Sequence, residues 1–223
     1  MSLVASLRLV LSPPHPAGRP FIAGGVVLAA VGWLATPVLS ALGVVFALFC
    51  LYFFRDPERV APDRPGLVVA PADGHVVMVG DAVPPAELGL GDVPRHRVAI
   101  FLSVLDVHVN RSPVAGRVTR VAYRHGKFLN ASLDKASVDN ERNALAMVLP
   151  DGRDLAVVQI AGLIARRILC SATEGSVLGV GERFGIIRFG SRTDVYLPHG
   201  VRALVSVGQT MIGGETVIAE LDG

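Results

Sequence analysis

The feature that most constrains this chain is a long stretch near the N-terminus without a single charged residue. It covers residues 21–54 and reads FIAGGVVLAAVGWLATPVLSALGVVFALFCLYFF. As one helix the stretch would be about 51 Å long, whereas the hydrocarbon core of a bilayer is about 30 Å thick. Pro37 divides it into halves that each approach the shortest helix able to span a bilayer. The stretch therefore predicts a hydrophobic helical hairpin, or a re-entrant pair, that anchors the chain in a membrane.

The charges around this stretch predict its orientation. Arg8 and Arg19 precede it without any acidic residue, and arginines follow it at positions 55, 59 and 64. Positive charge on both sides favours two cytoplasmic ends, as a hairpin requires. A cleavable signal peptide is disfavoured because the stretch ends in FFRDPER and is far longer than the roughly 7–15 apolar residues of such peptides. We therefore expect the cytoplasmic membrane, with the following domain on the cytoplasmic side; burial as a core hairpin is the weaker alternative.

Composition and spacing argue against several classes of function. The net charge is only +2 and no run of five basic residues occurs, so nucleic acid is not an expected partner. The six histidines show no metal-ligand spacing, and the motifs GxGxxG, GxxxxGK[ST] and HExxH are absent. Cys50 and Cys170 belong to no Cys/His cluster and are expected to be buried, reduced thiols. No metal site is therefore predicted.

After Arg55 the sequence changes character. RDPERVAPDRPG reads as a linker, and short segments rich in Val and Ile follow, separated by Gly, Pro and Asp. These segments are GLVVAP, GHVVMVG, RHRVAIFLS, GRVTRVAYR, NALAMVLP, LAVVQIAG, GIIRFG, DVYLP, VRALVSVG and ETVIAEL. Helical periodicity is weak, with residues 131–142 and 163–170 as the best candidates. The pattern predicts a mainly β (α+β) domain, a sandwich or barrel.

The C-terminal third contains a loose internal similarity. SVLGVGERFGIIRFG and LVSVGQTMIGGETVIAEL both place a strand, a glycine-containing turn and another strand in the same order. This similarity suggests two folded-over halves of a small β structure.

The segment around Gly190 and Ser191 is the strongest candidate for chemistry. A Gly-Ser pair alone is typical of a turn, and the chain has another at Gly175 and Ser176. However, FGSRTDVYLP resembles the self-cleavage site of the phosphatidylserine decarboxylase family, in its short bacterial and archaeal branch. FFRDPER after the apolar stretch, PADG at 71–74, DVHVNRSP at 106–113 and GKFLNASLDKASVDNERN at 126–143 resemble that family in the same order. The resemblance covers essentially the whole chain.

The resemblance implies a self-processing, pyruvoyl-dependent carboxy-lyase. Ser191 is expected to attack the carbonyl of Gly190, giving a large chain (1–190) and a small chain (191–223) that begins with a covalent pyruvoyl group. This group would form a Schiff base with phosphatidylserine and accept electrons as carbon dioxide leaves, producing phosphatidylethanolamine. The expected partners are the membrane phospholipid and the heterodimer of the two chains, with a higher homo-oligomer left open.

These patterns, together with the resemblance, predict a division of the chain and a fold. Residues 1–20 would be a cytoplasmic N-terminal segment, 21–54 the membrane anchor and 55–66 the linker. Residues 67–223 would form the catalytic domain, a β-sandwich or barrel with elements like those of biotinyl and lipoyl domains.

Two further residues receive roles from the resemblance. His108, in DVHVNRSP, is the expected acid/base, and Asp73, in PADG, is expected to orient the base during self-cleavage. Longer relatives carry a second histidine three residues after the first, where this chain has Arg111. Either His108 serves both steps or another group such as His75 activates Ser191. Residues 126–143 fit either lipid head-group contacts or a solvated loop, so no ligand is assigned there.

Two other functions fit parts of the sequence. A pyruvoyl-dependent decarboxylase of a soluble amino acid such as aspartate would have no use for the apolar stretch. A membrane-tethered adaptor is the other alternative, since VSVGQTMIGGETVIAEL is similar to the half-barrels of biotinyl and lipoyl carriers. No lysine follows Lys135, so the expected carrier lysine is lacking and the similarity indicates fold alone.

Overall fold

The structure is a computed structural model that describes residues 12–126, 140–162, 167–188 and 190–221. The chain divides into two compact units, one ending at Glu58 and the other starting at Arg59. The described part of the first unit is helical, whereas that of the second consists mainly of β-strands.

The apolar stretch forms two helices, as predicted. They are α1 (Arg19–Ala35), which follows a 3-10 turn, and α2 (Pro37–Phe53). Thr36 lies between them in an extended conformation, and its hydroxyl accepts a hydrogen bond from the Leu39 amide at 3.2 Å. Proline at the first position of α2 has no N–H to leave unpaired, which explains why the second helix starts there.

The two helices pack through small residues. A Cβ atom added at Gly43 would lie 2.3 Å from the Ala29 backbone nitrogen, and one at Gly32 would lie 2.4 Å from that of Ser40. The Ser40 hydroxyl also donates to the Ala29 carbonyl at 3.0 Å. Glycine is needed at these positions because larger side chains would separate the backbones.

The outer surface of the helix pair is apolar and exposed, with Trp33 and Leu34 more than 80% accessible. Pro16–Ala35 is long and apolar enough to cross a membrane, and α2 is shorter. Length and composition alone are weak evidence of membrane association. Cys50 is buried in α2, Cys170 is only partly buried in the β unit, and both are free thiols.

The β unit contains thirteen strands within the described ranges. They are β1 (Leu67–Val69), β2 (Gly74–Ala82), β3 (Arg95–Leu102), β4 (Val109–Arg111), β5 (Gly116–Arg124), β6 (Arg142–Val148), β7 (Asp154–Ala161), β8 (Ile168–Cys170), β9 (Val177–Leu178), β10 (Arg183–Ile187), β11 (Ser191–Tyr196), β12 (Thr210–Met211) and β13 (Val217–Glu220). An eight-stranded half-barrel has the order β12-β2-β3-β11-β7-β6-β5-β9, and β4-β10-β8 and β1-β13 form smaller sheets. The mainly β prediction is confirmed; the likeness to biotinyl and lipoyl domains stays a prediction.

Some local predictions were wrong. Residues 168–170 form a strand paired with β10, not a helix, and Arg142 opens β6. VRALVSVG was predicted to be a strand, yet only Ala203 bridges to Ala219. Residues 131–139 and 163–166 of the two predicted helices lie outside the described residues. Strand pairing determined the secondary structure of these segments, because short segments form their hydrogen bonds with partners far along the chain.

The predicted internal similarity corresponds to repeated structure. The Val76 amide donates to the Gln209 carbonyl at 2.9 Å, and the Val118 amide donates to the Ser176 carbonyl at 2.8 Å. Strand β12 thus lies against β2 as β9 lies against β5, and β2 and β5 carry bulges at matching places. The two halves meet where β11 pairs with β7, so β11 lies near the centre of the half-barrel.

The core lies on one face of the half-barrel, against the smaller sheets. It includes Val98, Ile100, Leu145, Val157 and Val195 from the central strands. A smaller apolar cluster around Tyr196 occupies the opposite face. Both faces of β11 are therefore covered, which explains why all six of its residues are buried.

Candidate active site

Ser191 is the first residue of the central strand β11. It pairs with Leu102 of β3 on one side and with Ala161 of β7 on the other. Its side chain is fully buried, and its hydroxyl has no hydrogen-bond partner among the residues that the structure describes. Most buried polar atoms are paired, so an unpaired serine hydroxyl is unusual, as is that of Thr193 on the same strand, and it is consistent with the predicted reactive role of Ser191.

Gly190 connects two different sheets. Strand β10 belongs to the three-stranded sheet and β11 to the half-barrel, so the chain crosses between them just before Ser191. Gly190 has a φ of +63°, and a Cβ added there would meet nothing within 4 Å. The left-handed conformation favours glycine, and the open space leaves room for a nucleophile to approach its carbonyl.

His108 lies beside the bond between Gly190 and Ser191. The Gly190 amide donates to His108 Nε2 at 3.3 Å, and Nδ1 lies 2.9 Å from the Asp106 carbonyl oxygen. These contacts assign the proton to Nδ1, which leaves a lone pair on Nε2. Because the imidazole is fully buried, its orientation is fixed by the surrounding structure. This neutral ring can therefore accept a proton at the predicted cleavage site.

Asp73 has a structural role in the linker region. Its Oδ2 forms an ion pair with Arg59 Nη2 at 2.8 Å, and its Oδ1 accepts a hydrogen bond from the Gly213 amide at 2.8 Å. The carboxylate thus joins the start of the β unit to a turn close to the C-terminus. The orientation of the base by Asp73 stays a prediction, since the Nδ1 contact described for His108 is with a backbone carbonyl.

The sequence left open whether His75 activates Ser191, given that Arg111 occupies the position of a second histidine in longer relatives. The Arg111 guanidinium donates to the Gly181 carbonyl at 3.0 Å. His75 is exposed, and its Nδ1 lies 3.1 Å from the Thr210 hydroxyl. In the sheet register His75 shares a row with Phe101 and Arg192, whose side chains point to the face opposite Ser191. The structure thus brings His108, and not His75, to the bond between Gly190 and Ser191.

A buried polar network lies one row below Ser191 on the same face of the half-barrel. Thr193, Gln159 and Asn143 are paired across β11, β7 and β6. Asn143 Nδ2 donates to Gln159 Oε1 at 2.9 Å, and Gln159 Nε2 donates to Asn110 Oδ1 at 2.8 Å. This network was not predicted, because its only signal in the sequence is isolated polar residues within apolar strand segments.

We expect replacement of Gln159 by leucine to destabilise the β unit. The change leaves Asn143 Nδ2 and Asn110 Oδ1 buried without their partner, at a cost of about 2 to 4 kcal/mol. Gln209→Leu is a matched control, because Gln209 is exposed and should cost less than about 1 kcal/mol. The free energy of unfolding of both variants is measured by urea unfolding in detergent, in an uncut Ser191→Ala background. Equal losses of stability in the two variants would contradict a stabilising role for the network.

The opposite face of β11 contains a buried ion pair. Arg192 Nε and Nη2 donate to the two carboxylate oxygens of Asp194 at 2.7 and 2.9 Å, and both side chains are fully buried. Arg97 adds a second positive charge, 3.6 Å from Asp194 Oδ2. Pairing permits these charges in the interior, which explains how the polar sequence SRTD forms a central strand.

A cluster of ionisable residues lies near the predicted cleavage site: Tyr123, Glu141, Arg167 and Arg188. Burial, followed by the hydrogen bond and charge of Glu141, raises the pKa of Tyr123 to about 12. Burial and the nearby charge of Arg167 lower the pKa of Arg188 below its usual value. The Glu141 carbonyl accepts a hydrogen bond from the amide of Ala161, the partner of Ser191, so this cluster adjoins the site.

Comparison with known proteins gives consistent matches. The family model described as phosphatidylserine decarboxylase matches residues 46–219. A protein of Granulibacter bethesdensis named phosphatidylserine decarboxylase proenzyme is 72% identical over 99% of this chain and 91% of its own length. Proteins of the same name from Gluconacetobacter diazotrophicus and Gluconobacter oxydans are 66% and 60% identical, over 99% of this chain and 100% of their own length.

Proposed function

The chain belongs to the phosphatidylserine decarboxylase family, and on that premise we propose that it converts phosphatidylserine to phosphatidylethanolamine and carbon dioxide after cutting itself between Gly190 and Ser191. One observation carries this proposal. The unprotonated Nε2 of a buried histidine lies 3.3 Å from the Gly190 amide, next to a buried serine hydroxyl without a partner among the described residues. A nucleophile and the carbonyl that it would attack thus belong to neighbouring residues, and the expected base contacts the first of them.

The self-cleavage that we propose uses only groups of the chain and water. Ser191 Oγ attacks the Gly190 carbonyl carbon while His108 Nε2 accepts the hydroxyl proton. The peptide C–N bond breaks, the Ser191 nitrogen takes up a proton, and an ester links the two residues. Loss of the Cα proton of residue 191 breaks the Cβ–O bond, giving a carboxylate on Gly190 and dehydroalanine at 191. Addition of water to the imine tautomer of dehydroalanine releases ammonia and leaves a pyruvoyl group.

The pyruvoyl group would be held by the residues that now hold Ser191. When present it supplies a ketone that reacts with amines and a conjugated carbonyl that accepts electrons as carbon dioxide leaves. We propose that His108 holds the proton that is returned to the substrate after carbon dioxide has left. Complete burial of His108 and residue 191 keeps bulk water away from the reacting atoms.

The proposed small chain, 191–223, would stay attached after the cut. Strand β11 is hydrogen-bonded to β3 and β7 along its whole length, β12 pairs with β2, and β13 pairs with β1. All of these partners belong to the proposed large chain, 1–190. The names of the relatives call them proenzymes, which is consistent with such processing. A heterodimer of the two chains is the assembly that this pairing supports.

We also propose that residues 21–54 anchor the protein in the cytoplasmic membrane, with 1–20 and the catalytic domain, 67–223, on the cytoplasmic side of a linker, 55–66. Support comes from the apolar helix Pro16–Ala35 and from the arginines on both sides of the stretch. A membrane anchor would hold the active site near a substrate that resides in the bilayer.

Substrate comparison tests the proposed reaction. The purified full chain in detergent should release carbon dioxide from dispersed phosphatidylserine and not from free aspartate or serine, measured with carboxyl-labelled substrates. Release from a soluble amino acid alone would support the soluble-substrate alternative, and release from none of them would support the adaptor alternative. Wild-type protein treated with borohydride before the assay serves as the inactive control.

A further inference from the structure

We propose that Arg188 and Arg167 form an anion subsite for the phosphate of the substrate head group. This inference rests on the proposed function. It names the residues that would bind this group, which neither the family match nor the names of the relatives specify.

The backbone places both arginines at the cleavage site. Arg188 directly follows β10, and its amide nitrogen lies 3.4 Å from the carbonyl oxygen of Arg167, which directly precedes β8. The residue before Arg188, Ile187, donates its amide to the His108 carbonyl at 3.2 Å. Gly190, two residues later, donates to the ring of the same histidine. Arg188 therefore lies between two contacts to His108.

Electrostatics at this position favour an anionic ligand. The pKa of Arg188 is lowered first by burial and then by the positive charge of Arg167, so both effects disfavour its charged form. Arg167 is exposed and Arg188 is partly buried, which places one cation at the surface and the other deeper. A phosphate between two guanidinium groups would relieve their repulsion and accept charge-assisted hydrogen bonds from both.

The chemistry of the substrate fits this arrangement. Only a few covalent bonds separate the phosphorus of phosphatidylserine from the amine that must reach residue 191, so its phosphate must bind close by. Glu141 and Arg167 both lie near Tyr123, whose hydroxyl is protonated at neutral pH and, with its pKa raised to about 12, adds no negative charge there. Arg188 and Arg167 supply the positive charge that binding of a phosphodiester requires.

The test compares Arg188→Gln, Arg188→Lys and Arg167→Gln with the wild type. Arg117→Gln is the matched control, because Arg117 lies six residues before Tyr123 on β5, about 20 Å along the strand, and donates to Gly175. Self-cleavage of each variant is first measured by mass spectrometry. KM and kcat are then measured with short-chain phosphatidylserine below its micelle concentration, so that no lipid surface contributes.

We expect each glutamine variant at positions 188 and 167 to raise KM about 10- to 100-fold, with kcat changed less than about 3-fold. The KM of Arg188→Lys should lie between those of the glutamine variants and the wild type. Arg117→Gln should match the wild type. An unchanged KM for the monomeric substrate would overturn the proposal. A loss of activity that appears only with substrate in vesicles would also overturn it, because it would indicate that the arginines attract the protein to a charged membrane. Arg167 is exposed, so its variant should fold even if the Arg188 variants do not.

A second measurement does not depend on decarboxylation. Inorganic phosphate, titrated into the uncut Ser191→Ala chain and followed by phosphorus NMR, should bind at least about 10-fold more weakly when Arg188→Gln is added. Equal binding with and without Arg188 would overturn the subsite. Because this readout needs no activity, failure of the proposed reaction and failure of the subsite give different results.

Discussion

Replacing Ser191 with alanine should leave the protein as one uncut chain without decarboxylase activity. The alanine has no oxygen to attack the Gly190 carbonyl, so neither the small chain nor the pyruvoyl group can form. Activity should fall by at least about a millionfold, to the uncatalysed rate, because the group that accepts electrons is lost. The expected result by mass spectrometry is a single full-length species, whereas the wild type gives chains of 1–190 and 191–223.

The structure indicates that this loss would be chemical and not a failure to fold. The Ser191 hydroxyl is buried and has no hydrogen-bond partner in the described part of the chain, so its removal should not destabilise the domain. Ser176→Ala is the matched control. It alters the other Gly-Ser pair, which lies in an exposed turn where the Ser176 hydroxyl accepts a hydrogen bond from the Thr173 amide. Ser176→Ala should cut itself normally; cleavage of Ser191→Ala at the same bond would refute the mechanism.

Replacing His108 with glutamine should slow self-cleavage by about a hundredfold to ten-thousandfold, the usual contribution of a positioned general base. Glutamine can still accept a hydrogen bond from the Gly190 amide, yet it cannot take the Ser191 hydroxyl proton at neutral pH. The uncut fraction is followed over time after synthesis, by gel electrophoresis with mass spectrometry of the products. Chains that do mature should also decarboxylate slowly, because the same side chain is proposed to return a proton to the substrate.

His75→Gln separates the two histidines that the sequence left as candidates. The His75 side chain contacts Thr210 and points to the face opposite Ser191, so we expect its variant to cut itself at the wild-type rate. The reverse pattern, with normal cleavage in His108→Gln and none in His75→Gln, would reassign the base. Loss in both variants would also count against a single base at His108.

The sequence was informative about elements with strong local signals. The uncharged stretch predicted two helices, and Pro37 marked where the second one starts. Alternating apolar segments predicted most strands of the half-barrel, and the similarity in the C-terminal third reflected a real repeat of strand pairing. These features depend on hydrophobicity and backbone preference over a few residues, which a sequence displays directly.

Other elements depended on partners far along the chain. The short strands β4, β9 and β12 have only two or three residues, and residues 168–170 became a strand because β10 lies beside them. Gln159, Asn143 and Asn110 each look ordinary in sequence and form a network only because β7, β6 and β4 come together. No local pattern reports such contacts, since the free energy that favours them comes from tertiary pairing.

The sequence by itself determined the two apolar helices, the mainly β class and the candidates Gly190, Ser191 and His108. Only the tertiary structure decided which histidine meets the predicted cleavage site, since His108 and Gly190 are 82 residues apart in the chain and are joined by a 3.3 Å contact. It also decided that Arg167 and Arg188 adjoin that site. The physical reason is that residue type determines which chemistry a side chain can perform. Strand register and the crossover of the chain between sheets determine which hydrogen-bond partners and which charges lie beside it.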